Sequence, residues 1–175
     1  MMLEYAQAYL RGGDEALGAV HDTRQPRVVA EEFRTLIWKA TNLYQLAYPF
    51  ATYLEKYPNA DLPGAESFLY WARGGLGSDP VTTLHHMVIY DDPAMGILVG
   101  DKQVYASRDV DASMLMLWLS PAPDGQSYYL LAGGRGRSRR LDGFAARVLR
   151  GRVEAATRDV TAMYLEWLYE SLTIK

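Results

Sequence analysis

The chain has 175 residues, 49% hydrophobic and 22% charged, with a formal net charge of -3. That is the make-up of one globular domain with a single sizeable core, and it fits neither disorder, a collagen-like repeat nor a coiled coil. With no cysteine there is no disulfide framework, thiol nucleophile or Cys-ligated zinc. Three histidines (His21, His85, His86) are too few for a multi-histidine metal site, and the bulk charge points to no nucleic-acid or membrane partner.

Leu3, Ala6 and Leu10 stand at helical spacing, and Gly12-Gly13 ends that first helix. Asp14 is placed to cap a short second helix, Glu15 to His21, and the Pro26 region, Thr23 to Arg27, reads as a linker. Val29, Phe33, Leu36, Ile37, Ala40, Leu43 and Ala47 recur every three or four residues and predict a longer helix. Pro49 should break or kink it. A further helical piece runs from Phe50 to Tyr57. Glu66 to Ala72 is ambiguous, and Gly74 to Pro80 is irregular. Four strands follow, at Val81–Tyr90, Gly96–Ser107, Ala112–Ser120 and Gln126–Leu131, joined by short turns that leave no room for a crossover helix. They predict an antiparallel meander. Gly133-Gly134-Arg135-Gly136 reads as a flexible turn, with a phosphate cradle as the functional alternative. The end is one long helix, Asp142 to Leu172, with Ala145, Leu149, Val153, Ala156, Val160, Met163 and Trp167 as its buried stripe. The sum is a single α+β domain over 1–175: helical over 1–58, β-rich over 81–134, then the C-terminal helix.

No stretch is long and apolar enough to span a bilayer. The N-terminus has no basic region followed by an apolar run, so no export signal is visible and a cytoplasmic location is the default. No Gly-x-Ser-x-Gly, His-Glu-x-x-His, P-loop or dinucleotide fingerprint is present, and no cofactor is implied. Alternation turns His85 and His86 to opposite faces of their strand, so they cannot chelate one metal together. His86 reads either as an inward ligand contact or acid/base, or as a hydrogen-bonded structural histidine. Tyr105 with Lys102 resembles the tyrosine–lysine pair of some reductases, at the wrong spacing for that pair. The sharpest charge signal is basic: Arg135, Arg137, Arg139, Arg140, Arg147, Arg150 and Arg152, with Asp142 the one acid among them. This block reads as a site for an anionic partner or as a solvated helix start. It has no interleaved aromatics, which weighs against nucleic acid. The 13 Tyr and 4 Trp, against 4 Phe, suit a partly polar cavity, an aromatic core or an interface.

Tyr70-Trp71, the run Val81 to Tyr90, Lys102 to Ser107, Asp111-Ala112-Ser113 and Arg137-Ser138-Arg139-Arg140-Leu141-Asp142 together resemble segments of an uncharacterised family of bacterial, mostly exported proteins. Arg108-Asp109 departs from the His-Tyr expected of it. The resemblance implies a periplasmic or exported location and brings no activity. The layout is similar to START-like, helix-grip lipid-binding domains.

These observations predict a binding domain for a hydrophobic small molecule or lipid, held between a curved antiparallel sheet and the C-terminal helix. His86, Tyr90, Tyr105, Trp118, Tyr129 and Trp71 are the expected ligand contacts. Arg135, Arg137, Arg139 and Arg140 are the expected anion or partner contacts. The alternatives are an enzyme acting on a small hydrophobic substrate, with His86 as acid/base beside Tyr105 or Asp111, and an interaction or anionic-membrane module built on the arginine block. Homo-oligomerisation fits any of the three.

Overall fold

The computed structural model describes residues 2–20, 27–74, 81–107, 111–137 and 146–173. The chain divides into two compact units, 1–137 and 138–175.

In the first unit, α1 (Met2–Gly12) turns Ala6 and Tyr9 inward and ends at Gly12. A 3-10 turn over Gly13–Leu17 takes the place of the expected second helix, and residues 21–26 lie outside the described residues. The short strands β1 (Ala19–Val20) and β2 (Arg27–Val28) pair antiparallel. α2 (Val29–Trp38) buries Val29, Phe33, Leu36 and Ile37, the spacing that marked it in the sequence. The single helix expected to run on to Ala47 is two helices. The backbone leaves helical geometry at Ala40, and α3 (Thr41–Leu46) follows with Leu43 packed against the core. The break expected at Pro49 is there: α3 ends at Leu46, and Pro49 stands in the first turn of α4 (Tyr48–Lys56), where a residue needs no N–H for the helix ladder.

The sheet has five strands in sequence order, all antiparallel: β3 (Glu66–Gly74), β4 (Val81–Asp92), β5 (Gly96–Ala106), β6 (Ala112–Pro121) and β7 (Tyr128–Arg137). The α+β class and the meander stand as expected. The segment left ambiguous at Glu66 is an edge strand. β7 is longer than predicted and carries Gly133-Gly134-Arg135-Gly136 within its ladder, so these glycines are not a turn. A glycine weakens a strand but does not break it where a neighbouring strand holds its backbone.

Leu84, His86 and Val88 of β4, with Leu98 and Lys102 of β5 and Met114 of β6, face the helices. There they meet Phe33, Ile37, Phe50 and Leu54, all but fully buried. Each such side chain contributes about 1.5–3 kcal/mol relative to exposure. α4 can lie close over the sheet because residue 100 is glycine. A Cβ there would stand 3.0 Å from Phe50 and 3.1 Å from Leu54.

The second unit holds α5 (Ala146–Thr173), which ends one residue past the span predicted for the terminal helix. The start expected at Asp142 lies outside the described residues. Of the stripe predicted to be buried, Met163 and Trp167 are 65% and 57% exposed. No described helix is long and apolar enough to cross a membrane.

Gly100→Val should therefore destabilise the fold by about 1–3 kcal/mol through overpacking, read from the midpoint of chemical denaturation. Gly133→Ala, where a Cβ meets open space, should change it by less than about 0.5 kcal/mol. Equal effects would contradict this packing.

Candidate functional site

Lys102 projects from β5 into the helical layer and is 1% exposed. Its Nζ donates to Asp14 Oδ2 at 2.6 Å and to the Leu54 carbonyl at 3.1 Å, and it lies 3.8 Å from the Phe33 ring centroid. Burial pushes the Lys102 pKa down, and Asp14 opposes that shift. Asp14 reaches this position because the chain turns at Gly13 with φ +63, where any Cβ would overlap the Tyr57 carbonyl. Nothing in the spacing of the sequence links positions 14 and 102, so the pair was not foreseen.

His86 is beside it. Its Nδ1 is 2.8 Å from the Tyr9 hydroxyl, and the Tyr57 ring lies 4.4 Å away, centroid to centroid. Burial, reinforced by the Lys102 charge and opposed by Asp101, lowers the His86 pKa to about 3. Burial is also the main cause that raises the Tyr9 pKa. Tyr9 therefore keeps its proton, and its hydroxyl and His86 Nδ1 share one hydrogen bond whose direction follows the ring tautomer. Of the two readings open in the sequence, the surroundings are those of a neutral, hydrogen-bonded core histidine. Its partner is Tyr9, which sequence reasoning missed, rather than Tyr105 or Asp111.

His85 faces the other way, as alternation requires. Its Nδ1 is 2.9 Å from Asp101 Oδ1 and its Nε2 2.8 Å from Thr83 Oγ1. Tyr70 stacks on the ring at 4.9 Å and donates to Asp101 Oδ2 at 2.7 Å.

Two cavities lie among the helices and on the helix-facing side of the sheet. One, of about 280 Å³, is lined by Asp14, Glu15, Arg34, Glu55, Lys56 and Tyr57 among others, and its charges nearly balance. Arg34 lies 3.8 Å from Glu15 and 3.9 Å from Glu55. The other, of about 400 Å³, opens between the α2–α3 junction and strands β6 and β7. Its apolar lining is Ala40, Leu43, Met114 and Met116, Asn42 is its neutral polar residue, and Lys39 and Arg135 add two cations, with no acid in the lining among the described residues. The strand register explains the space. Met114 is paired with Arg135 and Met116 with Gly133, so nothing projects beside Met116.

The residues expected to share a ligand are dispersed. Tyr90 stacks on Phe50, and Trp118 donates through Nε1 to the Met95 carbonyl at 2.7 Å; both pack on the core. Tyr105 meets the rings of Tyr5 and Trp71. Tyr129 is exposed on β7. Arg135 lines the larger cavity. Arg137 forms an ion pair with the buried Glu32 at 2.9 Å. Arg139 and Arg140 lie outside the described residues. Among the described residues no group of three or more acids and histidines is placed to hold a metal. Comparison with known protein families, curated proteins and solved structures finds no match to this chain.

The low His86 pKa fixes the sign of a pH effect. Between the ordinary value of 6.5 and about 3, the unfolded chain binds a proton that the folded chain refuses. Stability should thus fall as pH drops through that window, by up to about 1.4 kcal/mol per pH unit from this group. In His86→Gln the slope between neutral pH and pH ~4 should be shallower by about that amount. Identical slopes in urea denaturation of the two proteins would contradict the assignment.

Proposed function

We propose that the first unit is a binding domain for a small amphipathic anion: an apolar body carrying a carboxylate or a similar headgroup. The observation that carries this reading is the larger cavity. Its wall combines Ala40, Leu43, Met114 and Met116 with Asn42 and two cations, Lys39 and Arg135, and among the described residues no acid lines it. Its volume of about 400 Å³ lies within the range of ordinary small-molecule sites, which are mostly apolar with a few placed polar groups. Arg135 suits the headgroup, since a planar guanidinium forms two parallel hydrogen bonds to a carboxylate. The neighbouring arginine on the same face, Arg137, is ion-paired with Glu32, whereas Arg135 and Lys39 both line the cavity.

This reading keeps the hydrophobic small molecule expected from the sequence, and one arginine of the basic block. It moves the ligand to the side of the sheet that α2 and α3 cover. A catalytic role for His86 gains no support from a neutral ring held by Tyr9.

The test uses decanoate and its uncharged counterpart decanol as probes, with affinity measured by calorimetry on the full chain. Decanoate should bind about tenfold or more tightly than decanol, a difference of about 1.4 kcal/mol from the headgroup. Arg135→Glu should remove that preference. Gly133→Phe, which fills open space, should abolish binding of both while the circular dichroism stays unchanged. Equal affinity for the two probes, or binding that survives Gly133→Phe, would overturn the proposal.

A further inference from the structure

The apolar stripe of α5 has a regular period. Positions 149, 153, 156, 160, 163 and 167 are Leu, Val, Ala, Val, Met and Trp, spaced alternately by four and three. That is the heptad period of a helix-on-helix seam. At its described end the seam is open: Met163 and Trp167 are both more than half exposed. A helix of this kind depends on packing of its apolar side far more than on intrinsic propensity.

The charge along α5 says which helix fits. Its first half carries Arg147, Arg150, Arg152 and Arg158 against Glu154 and Asp159. Its second half carries Glu166 and Glu170 and no base. A helix with one basic and one acidic half complements a second copy of itself only when the two run antiparallel; parallel pairing would set like against like. The antiparallel arrangement also closes under a two-fold axis, with the same patch used on both chains.

We infer that α5 is a homodimerisation element, paired antiparallel with α5 of a second copy of this chain. The dyad passes near position 158. It places Leu149 opposite position 167 of the second copy, Val153 opposite 163 and Ala156 opposite 160, so small residues meet at the centre and Trp167 packs at each end. The same register sets position 152 beside position 166 of the second copy, arginine to glutamate. The seam is confined to one helix, which is why the composition of the whole chain carries no sign of it.

The test is analytical ultracentrifugation of the full chain over about a hundredfold range of concentration, since a dimer dissociates by mass action. The wild type should be a dimer. Met163→Glu should be a monomer with unchanged decanoate binding and a first unit still folded. Arg152→Glu should weaken the dimer about tenfold, and the exchange R152E/E166R should restore it. A monomeric wild type at every concentration, or a dimer indifferent to Met163→Glu, would overturn the inference. An exchange that fails to restore the dimer would overturn the antiparallel register.

Discussion

One buried ammonium ties four elements together. Lys102 Nζ reaches Asp14 on the turn after α1, the Leu54 carbonyl near the end of α4 and the Phe33 ring on α2, while its own backbone belongs to β5. A charge taken out of water costs several kcal/mol unless a counter-charge and hydrogen bonds accompany it. Asp14 supplies the counter-charge and Leu54 the second acceptor. The helical layer is therefore held to the sheet by a contact that is strongly unfavourable if any one partner is misplaced. An apolar core tolerates small shifts. A buried charge pair does not, and this makes it a device for fixing position.

The cavities follow from that fixed layer. The smaller one opens beside Asp14, where acids and bases from the 3-10 turn, α2 and α4 nearly offset each other. The larger one lies at the other end of α2, where the chain breaks helical geometry at Ala40. Glu32 on α2 is ion-paired with Arg137 on β7, which links the two walls. Arg135, two residues earlier on the same face, is then left beside an apolar hollow created by a glycine. The difference between the two arginines lies in what faces them: an acid in one case, methionines and a lysine in the other.

Much of this architecture was legible in the sequence because it is periodic. Helical spacing marked α1, α2, α4 and α5, and alternation with short turns marked the antiparallel meander and turned His85 and His86 to opposite faces. What escaped was non-periodic. The break at Ala40 has no local signal such as proline or glycine. The strand through Gly133 to Gly136 looks like a turn until its neighbour β6 is present to hold it. The partners of the buried polar groups, Asp14 for Lys102 and Tyr9 for His86, are more than seventy residues distant in sequence, and only tertiary packing brings them together. Of the residues named in advance, Arg135 lines the proposed site, whereas His86, Tyr90 and Trp118 belong to the core that supports it.

The account stands on the claim that Lys102 and Asp14 act as one clamp, and a double-mutant cycle tests that most directly. Lys102→Met and Asp14→Leu should each cost about 3–5 kcal/mol, because each leaves a buried charge without its partner. The double variant should cost much less than the two together, with a coupling of about 2 kcal/mol or more. Two small losses that simply add would show that the pair does not hold the helices to the sheet.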